Sequence, residues 1–289
     1  MIWLKILKDK ILWLVFGALA LANFFIWLAI FEATPASKIK VDFFDVGQGS
    51  AIFLSAPGGN QVLIDGGPSD AILTKLGENL PLFDKKIELL ILTHPDADHL
   101  NGLIEVLKKY EVGAVLENGI ADSSAGYAFW HQLLKEKRVP VFIAHRGQTI
   151  KIADNFQIKI LAPLAEIAGQ SFSNTNNTSV VGKIIYGRNS ILFAGDAEKV
   201  EEAQLIFSRA DLKARILTIG HHGSKNSSGA DFLAAVGAQT AVIQVGLNNR
   251  YGHPAQETLD RLKNEKIWRT DLEGDIVFEC DLKECLKID

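Results

Sequence analysis

Cysteine and basic charge are both scarce in this chain. Of its 289 residues only two are cysteines, Cys280 and Cys285, too few for a disulfide-stabilised scaffold. They allow two interpretations: a local disulfide near the C-terminus, or two unbonded cysteines in and after a final strand. The composition, 48% hydrophobic and 22% charged with 9% aromatic residues, is ordinary for a globular protein. A chain of this length buries a sufficient core without disulfides.

The chain beyond its N-terminus has no excess of basic residues. Residues 1–31 contain three lysines and one aspartate, so the remaining chain has 27 basic and 33 acidic residues, a net charge of −6. Dedicated DNA-binding modules carry a basic surface, and this composition counts against one. It does not exclude an enzyme whose metal ions contact phosphate groups.

One long apolar run lies near the N-terminus. Ile11–Phe31 has 21 residues without a charge, preceded by three lysines. About 20 apolar residues allow a helix to cross a bilayer. The pattern predicts a transmembrane anchor over residues 1–31, a linker over 32–37 and a globular domain over 38–289. The lysines place the N-terminus in the cytoplasm, so the anchor is single-pass in the cytoplasmic membrane and the domain is extracytoplasmic.

A cleaved signal peptide is the alternative for this run, with Ala20–Ala22 as the cleavage site. Cleavage there would leave the apolar segment NFFIWLAIF at the new N-terminus, and the run is longer than a usual signal peptide core. The sequence therefore favours the uncleaved anchor.

Alternating apolar segments after the linker predict a mixed α/β fold. The predicted elements are strands at Ile39–Val46, Ser50–Leu54, Gln61–Ile64 and Ile87–Leu92, a helix at Asn101–Tyr110, and further alternation of helix and strand to about Leu161. Ser50–Gly67 and Ser179–Asp196 have the same length and the same pattern of strand, glycine-containing turn, strand and acidic glycine turn. This echo fits two similar halves, each a mixed sheet with helices outside, whose loops meet at one edge.

The densest group of polar residues is THPDADH. His94, Asp96, Asp98 and His99 lie within six residues, directly after a predicted buried strand. A strand end followed by a tight turn directs alternate side chains to one point, and imidazole and carboxylate groups suit divalent metals. The alternative is a solvated turn in which Asp98 caps a helix. The interleaved histidines and aspartates favour the metal site.

Three further segments place polar residues after apolar strands. Phe193–Asp196 ends in a carboxylate that can bridge two cations, although Gly-Asp is more often a simple turn. Ile219–Ser224 contains the adjacent histidines His221 and His222, so one can bind metal while the other faces substrate. Asn248–Pro254 is rich in hydrogen-bond donors and is equally typical of a surface turn.

These motifs resemble the metallo-β-lactamase domain of ComEC-type DNA-uptake proteins and its stand-alone relatives, from about Lys38 to Asp281. The resemblance includes seven motifs in order: DVGQGSA (Asp45–Ala51), LIDGG (Leu63–Gly67), LTHPDADHLNG (Leu92–Gly102), NNTSVV (Asn176–Val181), LFAGDAE (Leu192–Glu198), GHHGSKNSS (Gly220–Ser228) and VGLNNRYGHP (Val245–Pro254). It implies an αββα sandwich of two mixed β-sheets, with a dinuclear metal site at the edge that both sheets share.

The resemblance also implies roles for individual residues. The expected metal ligands are His94, Asp96, Asp98, His99, Asp196 and His221. His221 is preferred to His222 as the ligand because it directly follows the strand and its glycine. The expected substrate contacts are His222, Lys225, Asn177 and His253, while Asp98 or Asp196 takes a proton from water.

The identity of the metal is left between zinc and manganese. Asp96 and Asn177 stand at or near positions where many members of the superfamily have histidine. Both changes replace nitrogen with oxygen, so the site is expected to be harder, which makes manganese a candidate beside zinc.

The expected reaction is hydrolysis by a water that two divalent ions activate. A phosphodiester, above all single-stranded DNA, is the favoured substrate; a small ester, lactone or cyclic phosphodiester is the alternative. A third hypothesis is a metal-binding accessory subunit of a DNA-uptake machine without turnover. The sequence motifs predict neither the multi-helix channel region nor the OB-like domain of full ComEC proteins, so an uptake role does not follow from the resemblance alone.

Overall fold

The N-terminal apolar run forms one continuous helix. In the computed structural model, which describes residues 2–32 and 38–288, helix α1 spans Ile2–Glu32. Its segment Lys10–Leu28 is long and apolar enough to cross a membrane, and none of it is buried. The helix is therefore a candidate membrane span, at the place where the sequence predicts the anchor. Residues 33–37 of the predicted linker lie outside the described residues.

Eight strands form the first sheet. They are β1 (Ile39–Phe43), β2 (Ile52–Ser55), β3 (Gln61–Ile64), β4 (Lys86–Leu92), β5 (Glu111–Glu117), β6 (Val141–Ile143), β14 (Ile276–Cys280) and β15 (Cys285–Ile288). Their order across the sheet is β15-β14-β1-β2-β3-β4-β5-β6. Strands β3 to β6 are parallel and the other neighbours are antiparallel, so the sheet is mixed, as predicted.

Seven strands form the second sheet. They are β7 (Thr149–Ala153), β8 (Phe156–Ala162), β9 (Val181–Tyr186), β10 (Asn189–Phe193), β11 (Ile216–Thr218), β12 (Thr240–Ile243) and β13 (Lys266–Arg269). Their order is β13-β12-β11-β10-β9-β8-β7. Neighbouring strands from β10 through β13 pair in parallel, and neighbouring strands from β7 through β10 pair antiparallel.

Three apolar layers hold the sheets and helices together. The remaining helices are α2 (Ala71–Asn79), α3 (Ala97–Lys109), α4 (Ala125–Lys137), α5 (Lys199–Phe207), α6 (Ala230–Val236), α7 (Gln256–Arg261) and α8 (Thr270–Glu273). The central layer joins the two sheets, with Phe43 and Phe193 among its buried side chains. A second layer packs α2, α3 and α4 on the first sheet, and a third packs α5 and α6 on the second. The predicted αββα sandwich is confirmed.

The internal echo corresponds to two hairpins. Ser50–Gly67 contains the antiparallel pair β2 and β3, and Ser179–Asp196 contains β9 and β10. The acidic turns after β3 and β10 lie at the same end of the sandwich as the loop after β4. We call this the metal end, and the opposite end, where β1, β3 and β4 begin, the distal end.

Several predicted element boundaries differ from the structure. Strand β1 ends at Phe43 because the chain turns away at Gly47, whose φ of +81° is left-handed. Helix α3 begins at Ala97, four residues early, so Asp98 and His99 lie in its first turn. Strands β6, β7 and β8 follow one another without a described helix between them, because the chain passes there from the edge of one sheet to the edge of the other.

The two cysteines are bonded to each other. Cys280 and Cys285 form a disulfide across the antiparallel pair β14 and β15, at directly opposed positions. Of the two interpretations of the sequence, the local disulfide is the one that the structure contains.

Candidate metal centre

Four buried side chains from three loops meet at the metal end. His94 follows β4, His99 lies in the first turn of α3, Asp196 follows β10, and His222 lies in the short turn Gly220–Gly223 after β11. Each of the four is at most 3% exposed. Strand β4 of the first sheet and strands β10 and β11 of the second have their carboxyl ends at the same end of the sandwich, so segments as far apart in sequence as His94 and His222 converge here.

The carboxylate of Asp196 occupies the middle of the cluster. Its Oδ1 lies 3.2 Å from Nε2 of His99. Its Oδ2 lies 3.9 Å from Nε2 of His94 and 3.6 Å from Nε2 of His222. On the outer side, Oδ2 of Asp98 lies 3.2 Å from Nε2 of His222. Two overlapping groups result, His94–His99–Asp196 and Asp98–His99–His222, and the ligand atoms within each lie within 4.8 Å of one another.

The chemistry of these atoms fits a divalent metal. Nε2 of His94, His99 and His222 and Oδ1 of Asp196 are buried and have no hydrogen-bond partner. Buried polar atoms almost always have a partner, so four unpaired ones facing each other need another group between them. Ligand atoms on a tetrahedral zinc ion stand about 3.4 Å apart, given metal–ligand distances near 2.1 Å. The separations of 3.2–3.9 Å are close to this value.

The charges of the cluster stabilise one another against burial. Burial raises the pKa of Asp98, but the nearby imidazole of His222 and the charge of His99 outweigh it and lower the pKa to about 2. Burial also raises the pKa of Asp196, yet His222 and His99 hold it well below its ordinary value. Conversely, Asp196 and Asp65 outweigh burial and hold the pKa of His99 well above its ordinary value. The carboxylates of the site therefore stay ionised and favour a positively charged group between them.

Asp65 contacts the cluster from behind His99, and its place there was missed in the sequence. Its Oδ2 lies 2.7 Å from Nδ1 of His99, and its two oxygens also accept hydrogen bonds from the backbone N–H and hydroxyl of Thr93. A histidine that binds metal usually donates its other ring N–H to a carboxylate, which fixes the tautomer and the orientation of the ring. The signal was present in the motif LIDGG, where an aspartate directly follows an apolar strand.

The structure places the adjacent histidines differently from each other. Both have left-handed backbones, with φ of 49° at His221 and 52° at His222, and this sends their rings in different directions. Nδ1 of His222 lies 2.8 Å from the carbonyl oxygen of Gln244, so its Nε2 is left for the cluster. His221 is partly exposed, with Nδ1 3.3 Å from Glu198 and Nε2 3.8 Å from Asp196. Thus His222 lies inside the cluster and His221 at its rim.

Asp96 lies at the rim of the cluster, whereas Asn177 lies beside it, in contact with Glu198. Asp96 precedes α3 and is 41% exposed; its Oδ2 lies 3.9 Å from Nε2 of His94, and its Oδ1 accepts a hydrogen bond from Thr175. Asp96 is therefore at the rim, within reach of an ion bound by His94. Asn177 contacts Glu198 through its amide group and accepts hydrogen bonds from the backbone at the start of α5. These contacts hold a loop, and the substrate contact of Asn177 that the resemblance implies stays a prediction.

A groove opens beside the cluster. It has a volume of about 530 Å³, and its lining includes His221, Lys225, Tyr251 and His253. The rings of His221 and His253 lie 5.6 Å apart, and the guanidinium of Arg250 lies over the Tyr251 ring at 5.0 Å. Lys225 and His253, predicted as substrate contacts, thus share one groove with the rim of the cluster.

Comparison with known proteins agrees with this geometry. The chain is 32% identical to ComE operon protein 3 of Bacillus subtilis over 84% of its own length, and 28% identical to competence protein ComA of Neisseria gonorrhoeae over 86%. It spans 33% of the length of each of these curated relatives. The second of them is named as a competence protein, in agreement with the family that the motifs resemble.

Solved structures share the fold at low sequence identity. The metallo-beta-lactamase fold protein YhfI from Bacillus subtilis superposes with a TM-score of 0.57 at 15% identity, over 84% of this chain and 99% of that one. CmlA, a diiron beta-hydroxylase from Streptomyces venezuelae, superposes with a TM-score of 0.52 at 15% identity, over 86% of this chain and 54% of that one. The sequence profile of the Metallo-beta-lactamase superfamily matches residues 44–246. With the αββα sandwich and the cluster at its shared edge, this match shows that the chain belongs to the metallo-beta-lactamase superfamily.

Proposed function

We propose that this superfamily hydrolase cleaves phosphodiester bonds, with single-stranded DNA as the favoured substrate. The observation that carries the proposal is the groove beside the cluster. It combines the cation of Lys225, the exposed ring of Tyr251 with Arg250 over it, and the imidazole of His253. Cationic side chains contact phosphates, and exposed aromatic rings stack on the bases of single strands. The lining also includes one acidic residue, Glu257, whose charge opposes the binding of phosphate.

We propose two ion positions that share Asp196. The first has His94, Asp196 and the rim carboxylate of Asp96 as ligands. The second would have Asp98, His99 and His222, and Asp196 would serve both ions. Three carboxylates among six ligands make the site harder than an all-histidine site, so we expect manganese or zinc. Two bound divalent ions would supply a water of lowered pKa and neutralise charge at the scissile group.

The residues around the ions would orient the water and the substrate. Asp98 is part-exposed, with a pKa of about 2, so its carboxylate is charged at neutral pH and can accept a hydrogen bond from the attacking water. Burial, together with the charges of His221 and His222, lowers the pKa of His253. The His253 ring is therefore neutral at pH 7 and contacts the substrate as a hydrogen-bonding group. Lys225 supplies the positive charge next to the phosphate.

The cellular setting of this activity is proposed from the helix and the relatives. Helix α1 would anchor the chain in the cytoplasmic membrane as a single pass, with the lysines of its N-terminal end inside and the metal domain outside. The competence protein among the relatives favours DNA, and with it DNA-uptake proteins, as partners.

The proposed topology is tested by protease added to spheroplasts, which should digest the chain after Glu32. Recovery of the full chain in the cytosolic fraction would contradict this topology.

The activity is tested on the purified full chain in detergent. Single-stranded DNA, double-stranded DNA and bis-p-nitrophenyl phosphate are each incubated with manganese, zinc or magnesium. We expect cleavage of single-stranded DNA by the wild type and its loss in Asp98→Asn. Asp154→Asn, the same substitution at a carboxylate that is 92% exposed on a turn at the distal end, is the matched control and should cleave normally.

The remaining outcomes separate the alternatives. Hydrolysis of a lactone or thioester without cleavage of any phosphodiester would replace the nuclease proposal with the small-ester hydrolase. Full metal occupancy without turnover of any of these substrates would favour the accessory subunit.

A further inference from the structure

Two large apolar side chains stand out in water at the distal end. Leu82 is 81% exposed and Phe83 is 90% exposed, in the loop that leads from α2 to β4. The loop is an ordered turn, because the N–H of Asp84 donates to the carbonyl of Pro81 and the Asp84 carboxylate accepts a hydrogen bond from Gln61. A fixed turn that presents two apolar side chains to water requires an explanation other than disorder.

The turn lies at the end of the sandwich where β1, the first strand after the candidate membrane span, begins. Lys38, the first described residue after α1, directly precedes β1, and β1 begins at the distal end, as β4 does. Strands β1 and β4 are three strand spacings apart, so the turn lies about 14 Å from the start of β1. Five residues separate Glu32 from Lys38, and extended chain of that length reaches about 20 Å. The distal end therefore cannot lie far from the membrane that α1 would enter.

The charges beside the turn suit a lipid headgroup layer. Lys85 and Lys86 follow the turn directly and are exposed, and Lys38 is exposed at the start of β1. Lys38 and Lys86 each also contact a glutamate. Apolar side chains flanked by lysines are the usual pattern of segments that enter a membrane interface.

We propose that the Leu82–Phe83 turn inserts into the lipid interface and seats the distal end on the bilayer. The proposal rests on the proposed anchor, and it adds a second contact that fixes the orientation of the domain. Phe83 precedes β4 and His94 follows it, so the strand separates the turn from the cluster by about 23 Å. The metal centre then faces away from the bilayer, and substrate reaches it from the aqueous side.

The test is a depth measurement on the full chain in vesicles of phosphatidylcholine and phosphatidylglycerol. The two native cysteines are disulfide-bonded, so Phe83→Cys supplies one free thiol for a nitroxide spin label. We expect the label at 83 to collide more with oxygen than with a water-soluble nickel complex, at a depth of about 5–10 Å. The matched control is Leu247→Cys, 69% exposed in the loop after β12 at the metal end, where nickel collisions should dominate. Leu82→Cys provides a second probe of the turn.

Each other outcome overturns the proposal in a recognisable way. Aqueous values at 83 and 82, in a chain that stays with the vesicles, refute the docking and leave the anchor intact. Low collision rates with both reagents mean that protein covers the turn, such as a second copy of the chain. Release of the chain from vesicles by alkaline carbonate refutes the anchor and the docking together. None of these readings depends on nuclease activity.

Discussion

Oδ2 of Asp65 lies 2.7 Å from Nδ1 of His99, while Nε2 of the same ring lies 3.2 Å from Asp196. Asp65, which stays outside the proposed ion site, thus holds one side of the imidazole. The other side of the ring faces Asp196, a proposed ligand. The arrangement depends on Asp65 having a left-handed backbone, with φ of 58°, which an asparagine tolerates as well.

Asp65→Asn should therefore keep the fold and weaken metal binding. The substitution removes the charge that orients and polarises His99, and loss of such a partner lowers metal affinity about 10–100-fold. Competition with a fluorescent chelator measures the affinity, with Asp154→Asn as the control. An unchanged affinity would show that Asp65 has no part in the metal site.

Metal content should follow position in the cluster. Asp196→Ala removes a ligand that both proposed ions share, so it should lose more metal than His222→Ala, which affects one. His221→Ala should lose least, because the His221 ring is at the rim. Elemental analysis of the purified chains should give close to two ions in the wild type. Full occupancy in Asp196→Ala would remove Asp196 from the site.

Substitutions in the cluster and in the groove should change kinetics differently. Asp98→Asn keeps the size of the side chain but removes a charged ligand, so cleavage should fall by orders of magnitude. Lys225→Ala and His253→Ala should raise KM or lower kcat modestly, because they contact substrate and not metal. Steady-state kinetics with manganese gives both constants. A loss in Lys225→Ala as large as that in Asp98→Asn would contradict the assignment.

Two helical glycines should respond to alanine with opposite signs. A Cβ at Gly102 in α3 would overlap the carbonyl oxygen of Gly66, whose N–H donates to the carbonyl of His99. Gly102→Ala should therefore cost about 1–3 kcal/mol of stability. Gly77 in α2 has nothing within 4 Å of such a Cβ, so Gly77→Ala should stabilise the fold by up to about 1 kcal/mol. Thermal unfolding in detergent compares the two, and equal shifts would refute the close contact.

Glu201 should make stability fall as the pH rises. Its side chain is 3% exposed, its Oε2 has no hydrogen-bond partner, and burial raises its pKa well above 4.5. Above pH 4.5 the unfolded chain releases this proton while the folded chain retains it. The free energy of unfolding therefore falls as the pH rises from 4.5 to the raised pKa of Glu201 in the folded chain.

Glu201→Gln cannot ionise, so its melting temperature should exceed that of the wild type by a margin that is absent near pH 4 and grows towards neutral pH. Glu136→Gln, at an exposed position, should show no such trend. A margin that does not depend on pH would mean that Glu201 is ionised in the fold.

Local sequence patterns were sufficient for individual elements, whereas the αββα sandwich was implied by the family resemblance of the motifs. The length and largely apolar character of the segments predicted the strands at Gln61–Ile64 and Ile87–Leu92, because a strand buried on both faces is mostly apolar. The uncharged run Ile11–Phe31 predicted the long N-terminal helix for a similar reason. The histidines and aspartates of Thr93–His99 stood out because such a density of metal-binding groups rarely occurs without a metal.

Tertiary structure alone decided how those residues are used. Adjacent positions in sequence do not reveal that His222 faces Asp98 while His221 faces Glu198, because a pair of left-handed backbones sets the direction of the two rings. Sequence also did not connect Asp65 with His99, since the contact joins a strand end to a helix 34 residues later. Composition and spacing are local properties, whereas the direction of a side chain depends on which segments the fold brings against it.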